Sequence, residues 1–174
     1  FVLPLSALVA IAIRLDSPGP ALFSQMRVGR NGVPFRIWKF RSMRAAPAAP
    51  AQFAAENDPR ITRLGRALRK YRIDELPQLW NVLRGDMSLI GPRPEQQALV
   101  DEFSAQIPCY PYRHLVRPGL SGWAQVQQGY AASADETAVK LSYDLYYVTH
   151  YSLALDMLIA YKTLRTIATG FGAR

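Results

Sequence analysis

The chain opens on an apolar run, Phe1 to Ile13, interrupted by Pro4 and Ser6. It is shorter than the ~20 residues that span a bilayer. Starting without methionine inside that run, it reads as what is left of a longer membrane segment; a buried core helix fits equally, and a secretory signal less well, for want of a basic leader. Asp16-Ser-Pro-Gly-Pro20 is a turn. Ala21 to Phe40 predicts two short strands, with Asn31-Gly32 as a tight hairpin; Phe35, Ile37 and Phe40 are expected to pack while Arg36 and Lys39 project elsewhere. Ala45 to Ala55 lacks a period and reads as a loop or weak helix. Asn57-Asp58-Pro59 looks like a helix start, followed by Ile61, Leu64, Leu68 and Tyr71 at helical spacing. A shorter helix is predicted to begin at Asp74-Glu75, with Pro77 in its first turn, Leu76, Leu79 and Leu83 on its apolar face, and Gly85 as its stop. Gln96–Ala105, Asp135–Thr149 and Tyr151–Ile167 read as helices, the last with Leu155, Leu158, Ile159 and Leu164 on one face. The expectation is an α+β protein: one small, mainly helical domain over residues 1–174, with a short β-hairpin and no internal repeat.

Composition narrows the class. Hydrophobic residues make up 49% and charged residues 20% of the 174, a globular balance that gives no support to disorder over the whole chain. The single cysteine, Cys109, rules out an intrachain disulfide and is expected to be a packed small hydrophobe. His114 and His150 are too few and too far apart for a zinc motif, and His114 reads as structural. Net charge is +8, and no acid occurs between Asp16 and Glu56 while Arg27, Arg30, Arg36, Lys39, Arg41 and Arg44 accumulate. Such a surface attracts anions: phospholipid headgroups, nucleotide phosphates or nucleic acid.

The candidate chemistry lies at Ile73 to Pro94. Asp74 and Glu75 are approached from upstream by Arg60, Arg63, Arg66, Arg69, Lys70 and Arg72. Carboxylates facing a basic cluster at a helix start suit phosphate chemistry with a metal ion, although such acids also serve simply as caps. Gly91-Pro92-Arg93-Pro94 cannot continue a helix and holds one guanidinium in a rigid frame. Lys39 and Arg41 are candidates to reach this site or a lipid phosphate, against the alternative of a solvated strand edge. The basic stripe of Arg60, Arg63, Arg66 and Lys70 suits a membrane surface or an anionic site.

Residues 73–94 resemble the core signature of the bacterial sugar transferases that are monotopic phosphoglycosyl transferases. The resemblance extends to Ser17-Pro-Gly-Pro20, Gln25-Met-Arg-Val-Gly29, Lys39-Phe-Arg-Ser-Met43, Asn57-Asp-Pro-Arg60, Arg117-Pro-Gly119, Gly122-Trp-Ala-Gln-Val126 and Tyr143-Asp-Leu-Tyr-Tyr147. It implies transfer of a sugar-1-phosphate from a UDP-sugar to polyprenyl phosphate, releasing UMP, in exopolysaccharide, capsule, O-antigen or glycoprotein glycan assembly. It also implies a membrane-associated fold at the cytoplasmic face of the bacterial inner membrane. Residues 1–15 would be a truncated re-entrant helix bent at Pro4, with Leu3 where the family has serine, and residues 16–174 the globular part with amphipathic interfacial helices.

In the same terms Asp74 is the nucleophile of a covalent phosphosugar intermediate, kept ionised by the helix N-terminus, and Glu75 the leading Mg²⁺ ligand, with Asp74 beside it as a second metal contact. Arg93, flanked by Pro92 and Pro94, contacts the nucleotide. Arg72 and Lys39 contact phosphate, with Arg41, Arg117 and Gln125 as further binding candidates. Asp86 is either an outlying acid of the site or a surface residue. Asp144 and Asp156 match family positions without an assigned role, and Trp123 reads as core or interface. The implied partners are UDP-sugar, polyprenyl phosphate and membrane phospholipid, with a homodimer as a candidate assembly and no nucleic acid. Two rivals stand beside this reading: a non-catalytic peripheral module binding anionic lipid, which leaves Asp74-Glu75 without purpose, and a nucleic-acid-binding domain supported by charge alone.

Overall fold

A computed structural model describes residues 2–44, 58–128 and 134–169. The first helix, α1 (Val2–Asp16), is followed by an antiparallel hairpin, β1 (Leu22–Val28) and β2 (Pro34–Phe40). Helices α2 (Arg63–Lys70) and α3 (Gln78–Arg84) follow, then β3 (Ser88–Ile90) and α4 (Gln97–Gln106). The chain ends with β4 (Gly119–Ser121), α5 (Trp123–Gln127), α6 (Ala134–His150) and α7 (Leu153–Thr169). The fold is α+β, with β3 and β4 forming a short parallel pair that the sequence pattern does not announce.

Helix α1 runs unbroken from Val2 to Asp16. Pro4 lies in the first described turn of this helix. Among those residues no helix is long and apolar enough to cross a membrane.

The hairpin forms, but its connection differs from a two-residue turn. Arg30–Gly32 make a 3-10 turn with Asn31 and Gly32 at positive φ, closed by Gly29 N donating to Val33 O at 2.9 Å. Strand alternation then places Phe35, Ile37 and Lys39 on one face. Phe35 and Ile37 pack with Met87 and Val82, while Phe40, on the other face, joins Ile13, Ala21 and Leu68. A third cluster joins Val28 to Leu99, Val100, Phe103, Ile107, Tyr110 and Leu141.

Two helix starts fall later than the sequence suggests. Helix α2 is capped by Thr62, whose Oγ1 accepts from Gly65 N at 2.9 Å. Asp58 instead pairs with Arg60, and Asn57 lies outside the described residues, as do residues 45–55. Asp74 and Glu75 occupy a separate 3-10 turn, Ile73–Glu75, and α3 begins only at Gln78, after Pro77. Gly85 ends α3 at φ 85°, as expected.

The apolar face expected before and along α3 divides: Leu76 packs against the core and Leu79 is half-buried, but Leu83 is exposed. Gln78 and Asn81 are buried, whereas Trp80 and Leu83 are exposed. Asn81 is buried because it is fully engaged: Nδ2 donates to Arg36 O at 2.8 Å and Oδ1 accepts from Trp38 N at 3.3 Å, stitching α3 to β2. The face expected on α7 divides likewise, with Ile159 fully buried but Leu158 and Leu164 exposed. Cys109 is exposed, at positive φ before a 3-10 turn, and is not the packed hydrophobe expected; the turn buries its neighbour Tyr110 instead.

Candidate active site

The site grows from the reversal between α2 and α3. Arg72 adopts a left-handed conformation, φ 54°, which ends the chain's run along α2 and starts the Ile73–Glu75 turn. Both acids in that turn are buried, but into different surroundings. Glu75 Oε1 accepts from Arg93 Nη2 at 2.7 Å and from Lys39 Nζ at 2.9 Å, while Arg72 Nη1 lies 3.6 Å from Oε2. Asp74 makes no hydrogen bond or ion pair among the described residues.

This asymmetry separates their ionisation. Burial alone would raise the Glu75 pKa, but Arg93, Lys39 and Arg72 outweigh it and hold the carboxyl well below its ordinary range. For Asp74, burial and then the neighbouring Glu75 charge push the pKa up, with Lys39, Arg93 and Arg69 opposing. The expectation that a helix N-terminus keeps Asp74 ionised is therefore corrected: the acids precede α3, and desolvation dominates. Glu75 in turn raises the Arg93 pKa against burial, and burial lowers that of Lys39 against the pull of Glu75.

Arg93 is fixed by its backbone. Its carbonyl accepts from Arg113 Nη2 at 2.9 Å, and the same guanidinium grips Asp144 Oδ2 through Nη2 at 2.7 Å and Nε at 3.0 Å. The arginine and aspartate are each 2% exposed. Pro92 O accepts from Gly119 N at 2.9 Å, and Pro94 O accepts from Arg27 Nη1 at 3.3 Å. Glycine is required where β3 meets β4: a Cβ on Gly91 would lie 2.5 Å from Arg117 O, and one on Gly119 would collide with Gly91 N. Next door, buried Glu95 bridges Lys140 at 2.8 Å and Arg27 at 3.5 Å. Burial works against its ionisation, yet Lys140, Arg113 and Arg27 bring its pKa down to about 2.

The structure thus brings Lys39, Arg72, Asp74, Glu75 and Arg93 together, with Pro92 and Pro94 framing the last. Arg41 is elsewhere. Buried, it donates to Ser17 O at 2.6 Å, to Pro18 O and to Ile13 O, closing the carbonyl end of α1. Asp86 meets Asn81 Nδ2 at 3.2 Å and Arg84 Nε at 3.6 Å at the end of α3, away from the dyad's cations. Arg117 is exposed, and it is its carbonyl that packs on Gly91. Gln125 lines an apolar cavity together with Glu75 and Arg72, and its Oε1 is buried without a partner among the described residues. Asp156 accepts from the Tyr147 hydroxyl at 2.9 Å, and Trp123 lies under Lys162 Nζ at 4.9 Å from the ring centre. Glu95, Arg113 and Arg27 escaped sequence reasoning as site residues. The clue available was their position: Glu95 directly follows the Pro-Arg-Pro frame, and Arg27 falls within the Gln25–Gly29 motif.

Residues 1–170 match the family described as bacterial sugar transferase. The chain is 59% identical over 98% of its length to a UDP-N-acetylgalactosamine-undecaprenyl-phosphate N-acetylgalactosaminephosphotransferase of Aeromonas hydrophila, covering 41% of that protein. It is 47% identical over 95% of its length to a UDP-glucose:undecaprenyl-phosphate glucose-1-phosphate transferase of Caulobacter vibrioides, covering 63% of it. It is 39% identical over 92% of its length to the protein of the same description in Escherichia coli, covering 35%. The chain therefore spans less than two thirds of the length of each of these relatives.

Proposed function

Because the chain belongs to the bacterial sugar transferase family, we propose that it transfers a sugar-1-phosphate from a UDP-sugar to undecaprenyl phosphate with release of UMP. The observation that carries this reading is the unequal dyad: Asp74 without a partner beside a Glu75 that gathers Lys39, Arg72 and Arg93. Two anions have to meet at one phosphorus, and that encounter needs fixed positive charge around a carboxylate still free to attack.

In the first step an Asp74 carboxylate oxygen attacks the phosphorus that bears the sugar. A new O–P bond forms as the pyrophosphate O–P bond breaks, and UMP leaves with the electron pair. In the second, an acceptor phosphate oxygen attacks the same phosphorus from the position UMP vacated and the Asp74 carboxylate is released. Arg93 and Lys39 hold phosphate oxygens by shifting part of their bonding away from Glu75, and Arg72 takes the acceptor phosphate. Burial raises the Asp74 pKa, which makes the ionised form a more basic and less solvated nucleophile.

The donor set fits Mg²⁺. Asp74 is unpartnered and Glu75 Oε2 meets only Arg72 at 3.6 Å among the described residues, so two carboxylates are open to an ion that draws its other ligands from phosphate and water. When bound there, Mg²⁺ neutralises phosphate charge.

Location at the cytoplasmic face of the inner membrane is part of the same proposal. Leu3, Leu8 and Leu15 on α1, Trp80 and Leu83 on α3, and Leu153, Met157 and Leu164 on α7 are exposed apolar side chains. Single exposed apolar residues are ordinary, but whole helix faces turned outward suit a lipid surface.

The test is UMP release by full-length protein with a UDP-sugar and Mg²⁺. Mass spectrometry is expected to find a phosphosugar adduct on Asp74 when the acceptor is withheld, and none in Asp74→Asn. Parental UMP release by Asp74→Asn would reject the nucleophile, and an unchanged Mg²⁺ titration in Glu75→Gln would reject the ligand role.

A further inference from the structure

Glu75 also forms part of the wall of an apolar cavity of about 450 Å³. Leu76 and Leu79 line it from the dyad's side, Leu120 and Val126 from β4 and α5, and Ala160 and Leu164 from α7. Arg72 and Glu75 are the charged residues of its lining. Two of its hydroxyls satisfy each other and the backbone: Ser121 Oγ lies 2.6 Å from Thr163 Oγ1, which donates to Ile159 O at 2.8 Å. Apart from Gln125 Oε1, the wall offers few free groups to replace the hydration of a nucleoside or a sugar ring. A polar occupant would therefore lose more than it gained, whereas a hydrocarbon chain loses nothing.

We propose that this cavity holds the isoprenoid units nearest the phosphate of the acceptor, with Arg72 meeting that phosphate beside Asp74 and Glu75. The inference rests on the acceptor being a polyprenyl phosphate, as proposed above. Charge complementarity fixes the direction, because the cationic end of the lining is the dyad end and the remainder is apolar. The lining also includes Leu5 of α1 and Leu164 of α7, 46% and 68% exposed. The tail thus has an apolar path from the outward-facing helix surfaces to the reacting phosphorus. A chain threaded along it brings its phosphate to the dyad without leaving a hydrophobic environment.

Two variants test this. Ala160→Phe adds a ring inside the cavity, and Leu164→Gln alters a largely exposed position at its mouth, where the fold is little affected. UMP release by full-length protein in detergent micelles is measured against undecaprenyl phosphate at saturating UDP-sugar, then against UDP-sugar at saturating acceptor. Both variants are expected to raise the acceptor KM about ten-fold while moving the UDP-sugar KM less than about two-fold. An unchanged acceptor KM overturns the proposal. A rise confined to the UDP-sugar KM overturns it in favour of the donor as occupant. Weaker binding to phosphatidylglycerol vesicles with an unchanged acceptor KM overturns it in favour of a phospholipid chain. Absence of UMP release by the parent protein would overturn the reaction itself and this inference with it, a result distinct from the other three.

Discussion

Arg93 Nη2 donates to Glu75 Oε1 at 2.7 Å, tying the loop after β3 to the turn before α3. Lys39 reaches the same oxygen from β2, so two distant chain segments converge on one carboxylate of this turn while, among the described residues, its neighbour Asp74 stays unpartnered. Two identical functional groups, adjacent in sequence, are thereby given opposite surroundings.

That contrast predicts opposite stability effects. The folded pKa of Asp74 is raised, so above its unfolded pKa the ionised side chain weakens the fold; Glu75 is depressed, so it contributes stability above its unfolded pKa that is lost as pH falls through the folded one. Asp74→Asn is expected to raise the thermal midpoint by ~2–4 °C, about 1 kcal/mol, while cutting UMP release ~10³-fold or more. Glu75→Gln, which leaves the half-buried Lys39, Arg72 and Arg93 without their shared carboxylate, is expected to cost roughly 3 kcal/mol. Differential scanning calorimetry at neutral pH checks both, and an Asp74→Asn midpoint below that of the parent would contradict the assignment of burial as the dominant influence.

Arg113 and Asp144 form a buried pair whose guanidinium also holds the Arg93 carbonyl. Removing either charge alone leaves the other uncompensated, so Arg113→Met and Asp144→Asn are each expected to destabilise by ~3–5 kcal/mol in urea unfolding. Arg113→Lys keeps the charge but loses the two-nitrogen grip on Asp144. It is expected to recover part of that stability yet still raise the UDP-sugar KM, because Arg93 loses its backbone anchor.

Glu95 governs acid sensitivity. Its folded pKa of about 2, against an ordinary 4.5, means that the stability it contributes is complete above pH 4.5 and disappears as pH falls towards 2. The difference corresponds to on the order of 3 kcal/mol. Glu95→Gln is expected to flatten the stability–pH curve between those limits while lowering stability at pH 7. A parental slope in the variant would locate the acid transition elsewhere.

Arg41 lies at the end of α1, outside the dyad's cluster. Arg41→Ala is expected to lower thermal stability, since carbonyls of Ile13, Ser17 and Pro18 lose their donor, while leaving the UDP-sugar KM within about two-fold of the parent. A KM rise comparable to that of Arg93→Ala would return Arg41 to the phosphate site.

Leu83 is 80% exposed on α3 and tests the lipid-facing surface. Leu83→Glu has little core to disturb, so the thermal midpoint is expected to hold within ~2 °C. Co-sedimentation with phosphatidylglycerol vesicles is expected to fall several-fold, because a charge replaces an apolar contact at the interface. Undiminished sedimentation would remove α3 from that surface.

Much of this site was legible because its residues crowd a short stretch. Asp74, Glu75 and Arg93 fall between Ile73 and Pro94, where Pro77, Gly85 and the Pro-Arg-Pro run impose their own backbone logic. Lys39 could be placed only as a candidate, since strand alternation fixes its face but not what that face meets. Arg113 and Glu95 looked like any charged residues, because their partners, Asp144 and Lys140, arrive from α6 by tertiary packing. Helix α3 was harder still. Its leucines keep helical period, but Asn81, bonding to β2, takes a buried position while Leu83 is turned outward, and periodicity alone does not foresee that exchange.

The glycine crossing of β3 and β4 has an architectural consequence. Gly91 and Gly119 clasp the two ends of a long excursion, and Arg93 stands at its neck, held there a second time by Arg113. One methyl group on either clasping glycine would meet the backbone of the opposite strand, so the neck, and the guanidinium it carries, would have to shift.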